Sequence, residues 1–345
     1  MSADGKIKID GSRGEGGGQI LRTALALSII TGKPFSVSRI RANRSKPGLA
    51  RQHLTAVLAA RELCNGKVSG AELRSQTMEF SPGRVKAGEY DFDVGTAGST
   101  TLVLQTVLPP LLTCAGPSRV RIRGGTHNPL APPVEFLQRV FAPQLSAMGA
   151  TLDLELQKPG FYPKGGGRII ARIQPPQAWQ RIRLLQTQPP RVTAGMCVLA
   201  KLPRHIADRE LGFLAQQFDL AENQLQTVEF PHSASPGNVL YAECTDGNVT
   251  ELHSVCGERG LPAEGVAARL GMEVHEYLHA GAPVGQHLAD QLLLPMAIGA
   301  GGVFVTGELT PHTTTNMEII QKFVSVDFAV EELSPQVRRV TVTPG

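Results

Sequence analysis

Residues 14–40, GEGGGQILRTALALSIITGKPFSVSRI, contain the unit on which the rest of the chain is built. A glycine-rich turn is followed by an apolar run at residues 19–30, whose length and composition are typical of a helix. Gly32 ends this helix, and residues 35–40 then read as a strand. The stretch therefore predicts one α/β unit that consists of a turn, a helix and a strand.

The same order of elements occurs three times along the chain, as in proteins with internal repeats. The first copy continues into a second helix at residues 49–64 and a short strand. For the second copy the predicted elements are helix 100–114, strand 119–123, helix 129–148 and strand 151–156. For the third copy they are helix 288–298, strand 303–305, helix 313–323 with a capping pattern from Thr315 to Glu318, and strand 324–330.

The second and third copies are farther apart than the first two, with an excess of about one hundred residues, about the size of a small domain. This excess carries its own signals, for helices at 207–218 and 263–278 and for strands at 239–244 and 250–255. We therefore predict an α/β fold of three α/β repeats around a pseudo-threefold axis. A main domain would comprise residues 1–185 and 282–345, and a small inserted α/β domain residues 186–281. An ordinary α/β protein without true repeats is the alternative.

Positive charge is concentrated in one part of the chain. Between Gly16 and Arg61 there are eight basic side chains and no acidic one, although the formal net charge of the whole chain is only +4. Because like charges repel, such a block is better explained by a polyanionic ligand, either a nucleoside triphosphate or a nucleic-acid backbone. Glu15, just before the block, is the acid that a divalent metal would need if it bridged protein and phosphate.

Composition excludes several classes of protein. A chain with 19% charged and 41% hydrophobic residues is expected to be globular rather than disordered. Aromatic residues, at 5%, are too few for a single-strand binder built on stacking platforms. The scattered cysteines indicate a reducing compartment, and no segment reads as a signal peptide or a membrane span. We therefore expect a cytoplasmic protein with no membrane partner.

Any use of ATP would need a device other than the P-loop, because no GxxxxGK[ST] pattern is present. One such device is a covalent nucleotidyl intermediate on a nucleophilic side chain. Lys8, in Lys8-Ile9-Asp10-Gly11, matches the KxDG motif of lysine-dependent nucleotidyl transferases, although these residues also read as an edge strand. His312 is the other candidate, since an imidazole nitrogen can attack phosphorus; its alternative role is to cap the helix that starts there.

The segment His275-Glu276-Tyr277-Leu278-His279 fits the HExxH pattern of zinc peptidases. In such enzymes both histidines bind zinc from one helix face, and the glutamate activates water. Here a third ligand is hard to find, because no acid occurs between Tyr277 and Ala289. A polar face of an ordinary amphipathic helix is the competing interpretation.

Taken together, seven segments of the chain resemble the RNA 3′-terminal phosphate cyclase family. They follow the family's order and span nearly the whole chain, and they are DGSRGEGGGQILR (10–22), RANRSKPGLARQHL (41–54), GTAGSTTLVLQTVL (95–108), GGTHNPLAPP (124–133), GFYPKGGG (160–167), LADQLLLPM (288–296) and HTTTN (312–316). The resemblance implies three repeats similar to the C-terminal domain of translation initiation factor three, with a small inserted domain, in a plan similar to that of enolpyruvyl transferases. The main domain would then be the catalytic domain.

The resemblance also implies an activity. His312 would be adenylylated by ATP with release of pyrophosphate, and the adenylate would pass to the 3′-phosphate of an RNA. The neighbouring 2′-hydroxyl would then expel AMP and leave a 2′,3′-cyclic phosphate, so the RNA must end in ribose. ATP and Mg²⁺ or Mn²⁺ are the implied cofactors, and RNA with a 3′-phosphate end is the implied partner.

Further residues match family positions with known roles. Glu15 matches the metal-binding acid, and Arg22, Arg44 and Gln52 match residues that handle phosphates, with Arg41 a weaker match. The adenosine pocket would be formed by Gln105, Pro132, His287, Leu288, Ala289, Asp290 and Gln291. His287 stands where a tyrosine is common over the adenine, and the smaller ring leaves nucleotide preference open.

Two alternatives to the cyclase remain at this point. One is a non-catalytic relative that assists RNA processing and lacks the nucleophile, which the presence of His312 disfavours. The other is a zinc metallopeptidase that uses the HEYLH segment.

Overall fold

The computed structural model describes residues 5–345, so Met1–Asp4, the start of the predicted main domain, lie outside the described residues. The first repeat contains β1 (Ile7–Asp10), α1 (Gln19–Thr31), β2 (Phe35–Ser38), α2 (Arg51–Cys64), β3 (Lys67–Ser69) and β4 (Met78–Ser81). The second contains β5 (Glu89–Asp93), α3 (Thr100–Leu111), β6 (Ser118–Gly124), α4 (Val134–Phe136), a π-helical turn (Leu137–Phe141), α5 (Ala142–Ala147), β7 (Thr151–Lys158) and β8 (Gly167–Gln174).

The remaining elements belong to the third repeat and to the segment inserted into it. The third repeat opens with β9 (Ile182–Leu184). The inserted segment contains β10 (Arg191–Ala200), α6 (His205–Phe218), β11 (Leu225–Phe230), β12 (Gly237–Thr245), β13 (Thr250–Cys256) and α7 (Ala263–Ala280). The third repeat then continues with α8 (Gln286–Ile298), β14 (Gly302–Thr306), α9 (Pro311–Phe323), β15 (Val326–Ser334) and β16 (Val337–Pro344).

The three repeats have the same sheet topology. Their strand orders are β1-β2-β4-β3, β5-β6-β8-β7 and β9-β14-β16-β15. In each sheet the first two strands of the order pair in parallel, and the other neighbouring strands pair antiparallel. This shared order confirms the α/β fold of three repeats.

The position of the insertion differs from the expectation that it precedes the last repeat. β9 comes before the insertion in the chain, yet it pairs in parallel with β14, which follows the insertion. The inserted segment therefore interrupts the third repeat after its first strand. Its own sheet, β11-β10-β12-β13, and a second hydrophobic cluster between that sheet and α6 and α7 fall inside residues 186–281. The exact domain boundaries stay a prediction.

The main core lies where the helices of the three repeats meet. α1 contacts α3 and α9, and ten of its thirteen residues are buried, which explains why its sequence is apolar almost all the way round. In the strands, alternate side chains face this core, for example Phe35 and Val37 of β2. The convergence of α1, α3, α8 and α9 brings residues from all three repeats together. No helix in residues 5–345 has the length and apolar character needed to cross a membrane.

Two predicted helix starts were wrong. The last helix begins at Pro311 and not at the predicted Thr313, because proline is favoured at the first helical position and the side chain of the N-cap Thr310 accepts a hydrogen bond from the backbone N–H of Thr313. The predicted capping pattern from Thr315 to Glu318 therefore lies inside the helix. The helix predicted from residue 129 begins only at Val134, since the preceding residues Pro132 and Pro133 keep the chain extended.

Candidate active site

His312 lies in the first turn of α9, with its side chain exposed. Its Nδ1 is 2.7 Å from Oε1 of Gln19, at the start of α1. An amide oxygen can only accept a hydrogen bond, so Nδ1 is the donor, and in the neutral imidazole Nε2 then keeps its lone pair. The contact thus joins the first and third repeats and leaves one imidazole nitrogen free to act as a nucleophile.

Gln19 is itself held in place by Asp290 of α8. The amide nitrogen of Gln19 donates to the Asp290 carboxylate in a short contact, which fixes the orientation of the amide. Asn316 donates to the same carboxylate at 3.0 Å and accepts a hydrogen bond from Thr23 at 2.8 Å. Burial raises the pKa of Asp290, and the bond from Gln19 acts in the opposite direction. The imidazole is therefore positioned by a buried chain of hydrogen bonds.

Glu15 lies beside this group, in the turn that precedes α1. Its side chain is only 4% exposed, and Arg44 donates to Oε2 at 3.2 Å. Its backbone N–H donates to the Thr315 hydroxyl at 3.1 Å, which ties the turn to α9. Residues 5–345 contain no cluster of three or more His, Cys, Asp or Glu that could hold a metal. Mg²⁺ is often held by one or two carboxylates together with substrate phosphates, so the single Glu15 fits a cation that arrives with a triphosphate.

The turn before α1 requires glycines because side chains of neighbouring elements approach its backbone closely. A Cβ atom on Gly18 would lie 2.1 Å from Nε2 of His53 and 3.0 Å from Nη1 of Arg22. Gly14 has a positive φ of 57°, and a Cβ there would lie 2.0 Å from the Thr315 hydroxyl. The glycine-rich sequence therefore lets α2 and α9 close in on the start of α1.

The predicted phosphate-handling residues come from two neighbouring helices and a loop. Burial lowers the pKa of Arg22 to about 10, while the charges of Glu15 and Asp290 oppose that shift, so Arg22 lies near both carboxylates. Gln52 accepts a hydrogen bond from the backbone N–H of Ser99 at 3.0 Å, which leaves its amide nitrogen free to donate. Arg44 is half exposed and paired with Glu15. Arg22 and Arg44 thus both lie near Glu15, and Gln52 directly follows the first residue of α2.

Arg41, the weaker candidate, has a different role. Its Nη1 donates to the carbonyl oxygens of Lys46 and Gly48, both at 2.9 Å. This guanidinium therefore holds its own loop together from within.

The residues predicted for the adenosine pocket are only partly brought together. Gln105, Asp290 and Gln291 line one cavity, and Oε1 of Gln291 is buried without a hydrogen-bond partner. Pro132 and His287 are not in the lining of that cavity. Leu288 and Ala289 are fully buried in the core, so neither residue presents accessible surface to a ligand. The cavity also contains Arg22, which links it to the phosphate-handling residues.

The start of α8, which carries His287, is anchored to the inserted segment. Oε1 of Glu251 in β13 accepts a hydrogen bond from the backbone N–H of Gly285 at 2.6 Å. Burial raises the pKa of Glu251 to about 8. The ring of His253, also in β13, lies 4.9 Å from that of Tyr277, whose hydroxyl donates to the carbonyl of Pro283 at 3.0 Å. The inserted segment therefore supports the helix on which the predicted adenosine residues lie.

The two competing motifs lie elsewhere in the structure. His275, Glu276 and His279 are exposed on α7 of the inserted segment, and no third metal ligand joins them within the described residues. Lys8 is exposed on β1. Neither motif is part of the hydrogen-bonded group around His312.

Sequence reasoning missed several residues of this group, namely Gln19, Thr23, Thr315 and Asn316. Each lies in a segment that was singled out, but their contacts join residues about three hundred positions apart along the chain. The only local signal was that Gln19 directly follows the glycine-rich turn.

Comparisons with known proteins agree with this geometry. A family model described as RNA 3′-terminal phosphate cyclase matches residues 13–330. Among curated relatives, the RNA 3′-terminal phosphate cyclase of Koribacter versatilis is 49% identical over 94% of this chain and 92% of its own length. The protein of the same name from Ectopseudomonas mendocina is 44% identical over 98% of both chains.

Among solved structures, the enolpyruvyl transferase NikO from Streptomyces tendae overlaps 98% of this chain and 48% of its own, with 10% identity and a TM-score of 0.41. An overlap this weak carries no argument about function. The assignment follows from the family model and the two relatives, both of which extend over nearly the whole chain. The chain belongs to the RNA 3′-terminal phosphate cyclase family.

Proposed function

We propose that this chain converts the 3′-terminal phosphate of RNA into a 2′,3′-cyclic phosphate, with AMP carried on His312 between the two half-reactions. The observation that carries the proposal is the 2.7 Å hydrogen bond between Nδ1 of His312 and Gln19, because it fixes the direction of the ring and, in the neutral imidazole, leaves the lone pair on Nε2. The names of the two relatives support the overall activity. The covalent intermediate and the roles of individual residues are our inference.

In the first half-reaction, Nε2 of His312 attacks the α-phosphorus of ATP and forms a P–N bond. The bond from that phosphorus to the bridging oxygen breaks, and pyrophosphate leaves with the electron pair. Arg22 and Arg44 would neutralise the charge that develops on the phosphate oxygens. A divalent cation held by Glu15, when bound, would supply further charge neutralisation at the triphosphate.

In the second half-reaction, an oxygen of the RNA terminal phosphate attacks the phosphorus held on His312. The P–N bond breaks and restores the imidazole. The vicinal 2′-hydroxyl then attacks the terminal phosphorus, loses its proton, and expels AMP as the ring closes. The activation is needed because a phosphate monoester is a poor electrophile until one of its oxygens becomes part of a good leaving group. Gln52 would orient the terminal phosphate through its amide nitrogen, since its amide oxygen accepts a hydrogen bond from Ser99.

The adenosine moiety would bind against α8. Gln105, Asp290 and Gln291 share a cavity with Arg22, and Gln291 has an unpartnered buried oxygen that can accept a hydrogen bond. Pro132 and His287 would cover the base from outside that cavity, with Leu288 and Ala289 packed in the core behind the pocket. The cytoplasmic location and the metal requirement belong to this proposal.

The test uses ATP labelled on the α-phosphate and no RNA. We expect acid-labile, alkali-stable labelling of the protein, lost in His312→Ala and retained in Lys8→Ala. Lys8 is an exposed lysine in the competing motif, so it is the matched control. Equal thermal stability of the variants would show that the loss is chemical. Labelling that persists in His312→Ala would overturn the proposal.

A further inference from the structure

Three exposed basic residues next to the candidate active site have no acidic partner. Lys46, Arg51 and Arg74 are all exposed, and none of them forms a salt bridge to any residue of the described chain. By contrast, Arg39 is paired with Asp10 and Arg44 with Glu15. We call Lys46, Arg51 and Arg74 the cationic rim. Three uncompensated charges close together are unfavourable in the free protein and favourable against a polyanion.

The rim is built on two loops that are locked together. The backbone N–H of Arg74 donates to the carbonyl of Leu49 at 2.8 Å, and that of Leu49 donates to the carbonyl of Ser75 at 3.0 Å. A Cβ on Gly48 would lie 2.2 Å from the Arg74 carbonyl, so the loops touch through their backbones. Arg74 has a φ of 67°, a conformation uncommon for a residue with a side chain. The loops therefore present these cations from a preformed surface.

The rim adjoins the residues proposed to handle phosphate. Lys46 is two positions after Arg44, which contacts Glu15 at 3.2 Å. Arg51 opens α2 and directly precedes Gln52. Lys46 is also joined to Gly48 through Arg41, which donates to both of their carbonyl oxygens. The three cations thus continue the positive surface away from His312, on the first repeat.

We propose that the cationic rim binds the phosphodiester backbone of the RNA strand upstream of its terminal phosphate. This inference rests on the proposed function, which places the RNA terminal phosphate beside Arg44 and Gln52. ATP is a poorer candidate for the rim, because the cavity proposed for its adenosine lies between α1, α3 and α8. None of the three residues is aromatic, so binding depends on charge and is indifferent to base sequence.

Binding of a 3′-phosphorylated single-stranded RNA, measured as a function of salt, tests the proposal. In the variant Lys46→Ala/Arg51→Ala/Arg74→Asn, the slope of log K against log salt falls in magnitude by about 2, because each phosphate contact to a single strand contributes roughly 0.7. Asparagine is chosen at position 74 because it tolerates a positive φ. The matched control is Lys158→Ala/Arg183→Ala/Arg259→Asn, which removes the same charges at exposed positions outside the rim.

A second readout separates this inference from the proposed function. The rim variant keeps wild-type self-adenylylation by ATP and wild-type cyclisation of a nucleoside 3′-phosphate, which has no phosphodiester upstream of its phosphate. It shows a raised KM for a long oligonucleotide 3′-phosphate. A salt slope that falls equally in the control variant would overturn the proposal, and so would an equal KM increase for the nucleoside 3′-phosphate. If the wild-type protein shows no self-adenylylation, that result would instead count against the proposed function.

Discussion

The basic residues beside the candidate active site that form the cationic rim differ from those on the outer face of the second repeat's sheet in one respect, which is the supply of acidic partners. On the sheet, arginines of the central strands β6 and β8 face acids on the edge strands β5 and β7. These ion pairs are Arg121–Asp91 at 3.0 Å, Arg123–Asp93 at 3.0 Å, Arg172–Asp153 at 3.0 Å and Arg172–Glu155 at 2.8 Å. Around the active site, Lys46, Arg51 and Arg74 have no such partner among the described residues.

The difference teaches how a basic sequence should be interpreted. Residues 119–123, RVRIR, are denser in arginine than any five residues of the basic block, yet strand register places an acid opposite these side chains. The charges of these arginines are therefore balanced by acidic residues of the same sheet. The residues of the cationic rim lie in loops and at a helix start, where no strand register supplies an acid. On this account, positive charge that stays unbalanced beside other cations in three dimensions, rather than charge that is dense along the chain, indicates where a polyanion would bind.

Replacing one arginine from each region gives the largest expected contrast. We expect Arg44→Ala to lower kcat/KM for cyclisation of a 3′-phosphorylated RNA by on the order of a hundredfold or more, because a group that stabilises charge in the transition state is lost. Arg121→Ala should leave kcat/KM at the wild-type value. Steady-state kinetics on both variants make the comparison. Equal losses of kcat/KM in the two variants would show that the two regions do not differ in their contribution to cyclisation.

A buried arginine and an exposed one should differ in the size of their effect on folding. Burial lowers the pKa of Arg22 to about 10, and the charges of Glu15 and Asp290 oppose that shift. We expect Arg22→Met to lose self-adenylylation and about 3 kcal/mol of unfolding free energy, because it leaves the buried carboxylates of Glu15 and Asp290 without this cation. Arg123→Ala should lose up to about 1 kcal/mol of unfolding free energy, since its ion pairs are exposed, and keep its activity.

Urea unfolding and self-adenylylation, measured on the same preparations, test this pair. An Arg22→Met variant as stable as the wild type would mean that the Arg22 charge does not support the fold. Retained self-adenylylation would remove Arg22 from the phosphate site.

The smallest expected effect comes from removing the acids of the sheet. Asp91→Asn/Asp93→Asn leaves Arg121 and Arg123 without these partners, so it should add salt-sensitive RNA binding, with a slope larger in magnitude by about 1.4. The kcat for cyclisation should not change, because these acids pair with Arg121 and Arg123 and not with the hydrogen-bonded group around His312. The matched control is Asp219→Asn/Glu222→Gln, which removes two exposed, unpaired acids of the inserted segment. Identical salt slopes for the two variants would mean that RNA binding depends only on the net charge of the protein.

The repeat architecture was predictable because a glycine-containing turn precedes an apolar helix in each repeat. The resemblance to the cyclase family, carried by motifs in all three repeats, was confirmed by the family match. β9 was missed, because three residues carry too little pattern to be recognised as a strand. β9 pairs in parallel with β14, which follows the whole inserted segment. Such a long-range contact cannot be inferred from a local sequence pattern.

The candidate site was predictable only in part for the same reason. His312 and Glu15 stood out by residue type and by position at a helix start or in a glycine turn. The role of Gln19 could not be inferred, since it depends on contacts with His312 and Asp290 from the third repeat. The Thr315 capping prediction was wrong because Pro311 and Thr310 offered a better helix start. The proposed site assignments themselves stay predictions until the intermediate is mapped.

The most direct test of the account is to locate the nucleotide on the protein. The chain is incubated with ATP and Mg²⁺ in the absence of RNA, and alkaline-stable peptides are analysed by mass spectrometry. The account predicts one AMP attached to the peptide that contains His312, and its disappearance when 3′-phosphorylated RNA is added. An adduct on Lys8 or another side chain, or no adduct at saturating ATP, would contradict it.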